Sequence, residues 1–273
     1  MHRILFHIGP ITVYSYGFML ALAFISGALL AEYRARRAGI RKDSIIDLTF
    51  YILVSSIAGA RFLFVILNWD YYKQNPGDIL KIWEGGLVFY GGLISGFITA
   101  LCFLKAHKIS VWVAADVLSA PLALGVAIGR IGCFLNGCCY GVISHQWGVC
   151  FPSTDNPPVF VQQLRDGLIP PGALHSLPVI PTQLYSAAAG LIIFFILLFS
   201  GKHNKFNGFS FWLFILLYGI TRFIIEGFRY YEQNFIFSGT LTVSQIISLV
   251  LVAVAAGFLV FPALQSRTGK KTS

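Results

Sequence analysis

The chain alternates between long apolar runs and short polar segments, and the runs are long enough to cross a bilayer. The first run extends from Val13 to Ala31, and an arginine-rich segment follows it. A helix needs about 20 predominantly apolar residues to span the hydrocarbon of a membrane. We therefore predict seven membrane-spanning helices, near residues 12–33, 45–67, 86–105, 111–134, 181–200, 208–228 and 241–262.

The composition supports an all-α membrane protein, and we predict a single polytopic membrane domain over residues 1–273. Apolar residues make up 56% of the chain and charged residues only 11%, whereas soluble domains carry about 25% charged residues. On a soluble protein the net charge of +9 would point to nucleic acid, but here the positions of the charges matter more than their sum. The first ten residues lack the apolar stretch of a signal peptide, so we expect no cleavage there.

The number of basic residues alternates between high and low from one predicted loop to the next. Lys and Arg concentrate in loops on the cytoplasmic side of a membrane. One set of predicted loops carries twelve of them: Arg34, Arg36, Arg37, Arg41, Lys42, Lys105, Lys108, Lys202, Lys205, Arg267, Lys270 and Lys271. The opposite set is longer and carries five: Arg3, Lys73, Lys81, Arg165 and Arg229. This bias predicts an external N-terminus, a cytoplasmic C-terminus and an external 135–180 segment.

Three arginines, Arg61, Arg130 and Arg222, fall inside or at the edge of predicted spans. Arginine at the bilayer centre costs at least about 2.5–3.5 kcal/mol on insertion scales, so it usually faces a partner or a wet cavity. One interpretation is an internal ion pair, such as Arg222 with Glu226 at i,i+4 spacing. The other is a lipid phosphate, which the planar guanidinium binds through two oxygens.

Two glycine clusters border the spans, at residues 85–92 and 129–141. In the second cluster, Arg130 and Asn136 are expected at the mouth of a polar cavity, since irregular backbone at membrane depth must line protein or water. The alternative is a helix C-cap followed by a turn. In the first cluster, Tyr90 is either an interfacial aromatic or a ligand contact that its flanking glycines favour.

Four of the five cysteines, Cys133, Cys138, Cys139 and Cys150, lie close together in the chain. Zinc sites made of four cysteines use paired C-x2–4-C spacings, which the adjacent Cys138 and Cys139 do not match. We therefore expect no metal and no cofactor. A disulfide that includes Cys150 is compatible with an oxidising compartment.

Five motifs follow one another in an order that resembles the prolipoprotein diacylglyceryl transferase family over about residues 8–262. They are Tyr16-Gly17, Gly91-Gly92-Leu93, Gly129-Arg130-Ile131-Gly132 with Phe134, Asn136, Gly137 and Gly141, Pro181-Thr182-Gln183-Leu184-Tyr185, and Tyr218-Gly219 with Arg222, Phe223, Glu226 and Arg229. The resemblance implies a seven-helix bundle with a small external head between the fourth and fifth spans.

The resemblance also implies an activity. It is the transfer of a diacylglyceryl group from phosphatidylglycerol to the lipobox cysteine of a prolipoprotein signal peptide, which forms a thioether at the outer face of the bacterial plasma membrane. We expect a monomer surrounded by membrane lipids, with no nucleic-acid partner. The catalytic residues it implies are Tyr90, Arg130 and Arg222. The substrate-binding residues it implies are Arg130, Tyr16, Asn136, Gly141, Gln183, Tyr218 and Glu226, of which Glu226 orients Arg222.

Several positions depart from the family pattern. Tyr90 stands where the family has histidine, and a free tyrosine titrates near pKa 10 against about 6.5 for histidine. Cys133 replaces an asparagine, and Cys138 replaces a frequent acidic residue. Ile180 and Ser186 replace a histidine and a glutamate.

Three explanations of these departures remain. The chain is a cysteine-bearing branch that performs the same reaction with a different base, a paralogue with an altered acceptor or lost activity, or a lipid-binding or transport protein without transferase activity. Inverted repeats would favour transport, and none is clear in the sequence.

Overall fold

The computed structural model describes residues 3–9, 11–41, 43–200, 206–230, 236–237 and 241–268. Over these ranges the chain is mostly helical. The helices are α1 Ser15–Arg37, α2 Ser44–Leu67, α3 Trp69–Gln74, α4 Phe89–Ala106, α5 Val111–Asn136, α6 Pro158–Arg165, α7 Thr182–Ser200, α8 Phe209–Glu226 and α9 Val243–Thr268. Short antiparallel strands pair β1 Ile4–Ile8 with β2 Ile11–Tyr14, and β3 Ile236–Phe237 with β4 Leu241–Thr242.

Seven of these helices, all except α3 and α6, are long and apolar enough to cross a membrane. The predicted all-α, seven-span membrane protein is thus confirmed for the described residues. Large apolar side chains such as Leu29, Phe62 and Phe199 are exposed on the helix surfaces. In a multi-pass membrane protein, lipid covers such faces.

The first helix differs from its predicted bounds at both ends. It begins at Ser15 rather than residue 12, because Ile11–Tyr14 pairs with β1. It ends at Arg37, so Arg34 and Arg36, which were predicted in a loop, lie in its last turns. Helical hydrogen bonding continues past the apolar run, and cations are favourable near a helix C-terminus.

The chain folds as two compact units. The first unit comprises Met1–Gly27 and Leu118–Ser273, and the second comprises Ala28–Val117. The single membrane domain over residues 1–273 stays a prediction.

In the second unit, glycines allow α2 and α4 to pack with their backbones close together. A Cβ at Gly91 would collide with the Gly59 carbonyl and lie 2.7 Å from Leu63 Cβ, and one at Gly92 would lie 3.0 Å from the Ser56 carbonyl. Small residues at helix contacts are the usual means of close approach in membranes. The glycines of residues 85–92 that lie in α4 therefore face another helix.

Arg61 is buried in the second unit and binds backbone carbonyls. Its guanidinium donates to Asp78 (2.6 Å), Ile79 (2.8 Å), Gly85 (2.8 Å) and Gly86 (3.1 Å). One of the three embedded arginines thus fastens the segment between α3 and α4 to α2.

In the first unit, α5, α7 and α8 share an apolar core. Its buried members are Ala120, Ala123, Ile193, Leu197 and Phe214. Gly190 brings α7 onto α5, since a Cβ there would lie 3.0 Å from the Ala127 nitrogen. This contact fixes the three helices that carry most of the predicted site residues.

The head segment, residues 137–181, folds around its own small core. Phe151, Val159 and Val179 are buried together, and Phe134 at the end of α5 packs against them. The N-terminal hairpin is tied to this segment by Arg3, whose Nη1 donates to the carbonyls of Asp155 (2.9 Å) and Asn156 (3.2 Å).

Candidate active site

Helix α5 ends at Asn136 in a hydrogen-bonded reversal of the chain. The Gly137 amide donates to the Phe134 carbonyl and the Cys138 amide to the Cys133 carbonyl, both at 3.1 Å. With Gly137 at φ 73°, this is the Schellman motif. The C-cap interpretation therefore holds for Gly137, and the same turn carries Cys138 back over Cys133.

This turn gathers three thiols. The Sγ atoms of Cys133, Cys138 and Cys139 all lie within 4.8 Å of one another, and the thiols are hydrogen-bonded among themselves. The Asn136 side chain also lies within hydrogen-bonding reach of Cys138. All five cysteines of the chain are in its described part and are free, and Cys150 is exposed.

Cys139 lies just beyond the end of α5 and occupies the left-handed region, with φ at 60°. Hydrogen bonds from the thiols of Cys133 and Cys138 lower its pKa, and the positive charges of Arg229 and Arg130 lower it further. The three thiols and the two arginines therefore act on one another electrostatically.

The first two residues of α7 hold the backbone of the cysteine turn. Thr182 Oγ1 donates to the Cys139 carbonyl (2.8 Å), and Gln183 Nε2 donates to the Cys138 carbonyl (2.7 Å). Gln183 is fully buried, and its Oε1 has no hydrogen-bond partner among the described residues. The structure thus gives Gln183 a supporting contact, while its predicted contact with substrate stays a prediction.

Gly141 lies between two backbone segments. Its amide donates to the Ile180 carbonyl (2.9 Å), and it forms a β-bridge with Arg229. A Cβ at this position would collide with the Phe228 carbonyl and would lie 2.9 Å from Thr182 Cγ2. Close backbone packing accounts for this glycine, and its role in substrate binding is untested.

At the end of α8, two arginines share one carboxylate. Glu226 Oε2 lies 2.9 Å from Arg222 Nη2 and 3.5 Å from Arg229 Nη1. Glu226 is only 2% exposed, and Thr242 Oγ1 donates to its other oxygen (3.4 Å). The predicted i,i+4 pair of Arg222 and Glu226 is therefore present, with Arg229 added to it.

Positive charge exceeds negative charge in this region. Among the described residues of the first unit, Glu226 is the one acidic residue in a spanning helix, since Glu32 of α1 and Asp116 of α5 belong to the second unit. Arg222 Nη1 is buried and has no hydrogen-bond partner among the described residues. Since buried donors usually have hydrogen-bond partners, this nitrogen makes Arg222 a candidate for anion binding.

Arg130 and Arg222 line the same narrow cavity between α5, α7 and α8. The Tyr218 hydroxyl is within hydrogen-bonding reach of the Arg130 guanidinium. The other lining residues are Val126, Ser186, Ala189, Gly190, Thr221 and Ile225. The sequence-predicted arginine pair thus converges on one cavity, and Tyr218 joins it.

Tyr16 begins α1 beside the cysteine cluster. A Cβ at Gly132 would lie 2.9 Å from Met19 Cβ and 3.5 Å from the Tyr16 ring, so Gly132 admits α1 against α5. Tyr16 is within electrostatic reach of the cysteine cluster and of Arg130. Its predicted role in substrate binding stays a prediction.

Tyr90 belongs to the second unit, at the second residue of α4. Its side chain is 64% exposed, and its ring meets that of Phe89 edge-on at 5.9 Å. Its catalytic role stays a prediction.

Two features of this site were not predicted from the sequence. Arg229 was counted among loop residues and quoted in the last motif, but its contact with Glu226 was not foreseen. The cysteine cluster was dismissed on spacing alone. A helical C-cap glycine directly before adjacent cysteines was the signal that the turn would return them to Cys133.

Comparison with known proteins places these features in a family. A family model for prolipoprotein diacylglyceryl transferase matches residues 3–261. Relatives named phosphatidylglycerol–prolipoprotein diacylglyceryl transferase include one from Staphylococcus aureus, 31% identical over 97% of this chain and 92% of its own length. Another, from Bacillus velezensis, is 31% identical over 99% of this chain and 96% of its own. A third, from Geobacillus kaustophilus, is 32% identical over 93% of this chain and 90% of its own length.

The match extends over nearly the whole chain, includes every motif of the site, and agrees with the seven apolar helices. The chain belongs to the prolipoprotein diacylglyceryl transferase family.

Proposed function

We propose that this protein transfers a diacylglyceryl group from phosphatidylglycerol to the thiol of a lipobox cysteine in prolipoprotein signal peptides. A C–S bond forms at the glycerol carbon, and the bond from that carbon to the phosphate oxygen breaks. Glycerol phosphate leaves with the electron pair, and the proton of the thiol passes to solvent.

The observation that carries this proposal is the convergence of Arg130 and Arg222 on one cavity. Negative charge grows on the departing phosphate in the transition state, and preorganised cations in a dry site stabilise it. Arg222 is held by Glu226 through Nη2, and its Nη1 has no hydrogen-bond partner within the described part of the chain. Guanidinium groups bind phosphate oxygens through two parallel hydrogen bonds.

The other site residues orient the substrate or hold the framework. Tyr218, whose hydroxyl is within hydrogen-bonding reach of Arg130, positions the guanidinium toward the lipid head group. Tyr16 and Asn136 bind the glycerol hydroxyls. Glu226 fixes Arg222, whereas Gly141 and Gln183 act through the backbone they support.

We place the protein in the bacterial plasma membrane as a monomer, with the N-terminus external and the C-terminus cytoplasmic. The alternation of twelve against five basic residues between the two sets of loops supports this orientation. The head segment then meets signal peptides on the side where they emerge.

The test is purified protein in phosphatidylglycerol vesicles with a lipobox peptide, and mass spectrometry of the peptide for the thioether. We expect the product with the wild-type chain. Arg130→Gln and Arg222→Gln should each lower the rate by about 10²–10³ and weaken phosphatidylglycerol binding. Arg165→Gln, which alters an exposed arginine of α6, is the matched control and should be unaffected.

The two alternatives give different results in the same assay. A protein without transferase activity would bind phosphatidylglycerol and yield no thioether with any lipobox peptide. A paralogue with another acceptor would release glycerol phosphate only with a different thiol. If both arginine variants keep wild-type affinity for phosphatidylglycerol, the assignment of the phosphate site is wrong.

A further inference from the structure

We infer that Cys133, Cys138 and Cys139 bind one zinc ion, and that its open fourth position binds the acceptor thiol as a thiolate. This inference rests on the proposed function, because it assigns the group that activates the acceptor for that reaction.

The three sulfurs are close to the separation that zinc requires. Zinc lies about 2.3 Å from each thiolate, which places three ligand sulfurs roughly 4 Å apart. In this fold they are all within 4.8 Å of one another. Small rotations about the Cα–Cβ bonds move the sulfurs and can shorten these distances by the few tenths of an ångström that zinc requires.

The backbone that carries the ligands is fixed. The Schellman turn ties Cys138 to Cys133, while Thr182 and Gln183 bind the carbonyls of Cys139 and Cys138. The left-handed φ of Cys139 is an uncommon conformation for a residue with a side chain. Groups that orient metal ligands in this way typically account for tenfold to 100-fold in metal affinity.

Three protein ligands match the number used in catalytic zinc sites, where the fourth position accepts water or substrate. A thiol that coordinates zinc is deprotonated outright. The acceptor thiol would displace water, release its proton to solvent and bind as a thiolate. After the C–S bond forms, the neutral thioether leaves the metal, because it is a weaker ligand than a thiolate.

The charges around the cluster suit this complex. Zinc with three protein thiolates and one acceptor thiolate carries a net charge of −2. Arg130 and Arg229 are both within electrostatic reach of Cys139 and offset it. Arg130 also lines the cavity proposed for the lipid phosphate, so the acceptor sulfur and the phosphate would meet beside one guanidinium.

The departures from the family pattern concern both the presumed base and the ligands of the zinc ion. The family histidine is Tyr90 in this chain, and two of the three ligands, Cys133 and Cys138, stand where the family has an asparagine and a frequent acidic residue. A metal that makes the thiolate removes the need for a side-chain base at position 90. The substitutions thus have one common explanation.

The first experiment measures metal in the full-length protein purified without chelator, by elemental analysis. We expect one zinc ion per chain. Most of the zinc should be lost in each of the variants Cys133→Ser, Cys138→Ser and Cys139→Ser. Their affinity for zinc should fall by more than about 100-fold. Cys102→Ser and Cys150→Ser, which alter exposed cysteines outside the cluster, should retain all of it.

The second experiment keeps the wild-type chain, so it does not depend on the folding of variants. The metal is removed with a chelator, and Co²⁺ is added as a spectroscopic probe. Thiolate-to-cobalt charge-transfer bands at one equivalent are expected. Their absence, a disulfide within the cluster, or copper in place of zinc in the purified protein would overturn the inference.

Activity separates this inference from the proposed function. Metal-free protein should bind phosphatidylglycerol normally and form thioether at least about tenfold more slowly, with recovery on addition of Zn²⁺. Undiminished transfer by metal-free protein would reject the zinc inference and leave the proposed function intact. Zinc binding without any thioether product would reject the proposed function, and with it the acceptor role of the metal.

Discussion

Glu226 shows how a single residue organises the cationic part of the site. Its carboxylate is buried, contacts Arg222 and Arg229, and accepts a hydrogen bond from Thr242. Removal of one partner from a buried ion pair leaves a charge without compensation, which is far more costly than an exposed pair is worth. The carboxylate therefore stabilises the fold and directs Arg222 at the same time.

Glu226→Gln should destabilise the protein by about 3 kcal/mol, because the neutral amide no longer balances the guanidinium groups. The measurement is the thermal unfolding midpoint in detergent. Asp166→Asn is the control, since it alters an exposed carboxylate that Gln162 contacts at 3.2 Å. Equal midpoints for both variants would show that the buried pair contributes no more than a surface one.

Tyr90→Phe tests the residue that replaces the family histidine. The change keeps the ring and removes the hydroxyl. If zinc makes the acceptor thiolate, as inferred above, the rate of thioether formation should stay within about threefold of wild type. General acid–base catalysis by the hydroxyl would instead be worth about 10²–10³ or more. A loss of that size, with phosphatidylglycerol binding unchanged, would assign proton transfer to the Tyr90 hydroxyl.

At the scale of helices, glycines determine which pairs approach closely. Gly91 and Gly59 bring α4 against α2, and Gly190 brings α7 against α5. Between helices in lipid there is little hydrophobic driving force, so close van der Waals packing contributes a larger share. The glycine clusters noted in the sequence thus serve packing as well as the site.

Gly91→Ala should lower the free energy of unfolding by about 1–3 kcal/mol, since the added methyl group would collide with the backbone of Gly59. Gly125→Ala is the matched control, because a Cβ there has no heavy atom within 4 Å. The free energy of unfolding of this control should stay unchanged or rise by up to about 1 kcal/mol, because alanine has the higher helix propensity. Thermal stability in detergent distinguishes the two, and an equal response would refute the packing argument.

Helices were predictable from the sequence, whereas the connections between their ends were not. Long apolar runs define a span within a few residues, as for α2 and α7. The Arg222–Glu226 pair was predictable because i,i+4 neighbours meet on any helix. The meeting of Cys133 with Cys139 was not, because it depends on the left-handed turn at Gly137 and on side chains of α7 far along the chain.

At the scale of the whole molecule, the orientation in the membrane remains to be tested. We expect a membrane-impermeant maleimide to label Cys150, which is exposed in the head segment, in intact cells. The background control is Cys150→Ser. In that variant an added Ala38→Cys, at an exposed position just after α1, should react only after permeabilisation. The reverse pattern would invert the topology.

The buried Arg222 nitrogen has a consequence for how the enzyme works between turnovers. A guanidinium nitrogen inside an apolar bundle, without a partner among the described side chains, is costly to leave empty. If Arg222 binds the lipid phosphate as proposed, we expect the resting form to be the complex with lipid. Each catalytic cycle would then exchange one phosphate group for another, and the release of glycerol phosphate together with the entry of the next lipid would determine the turnover rate.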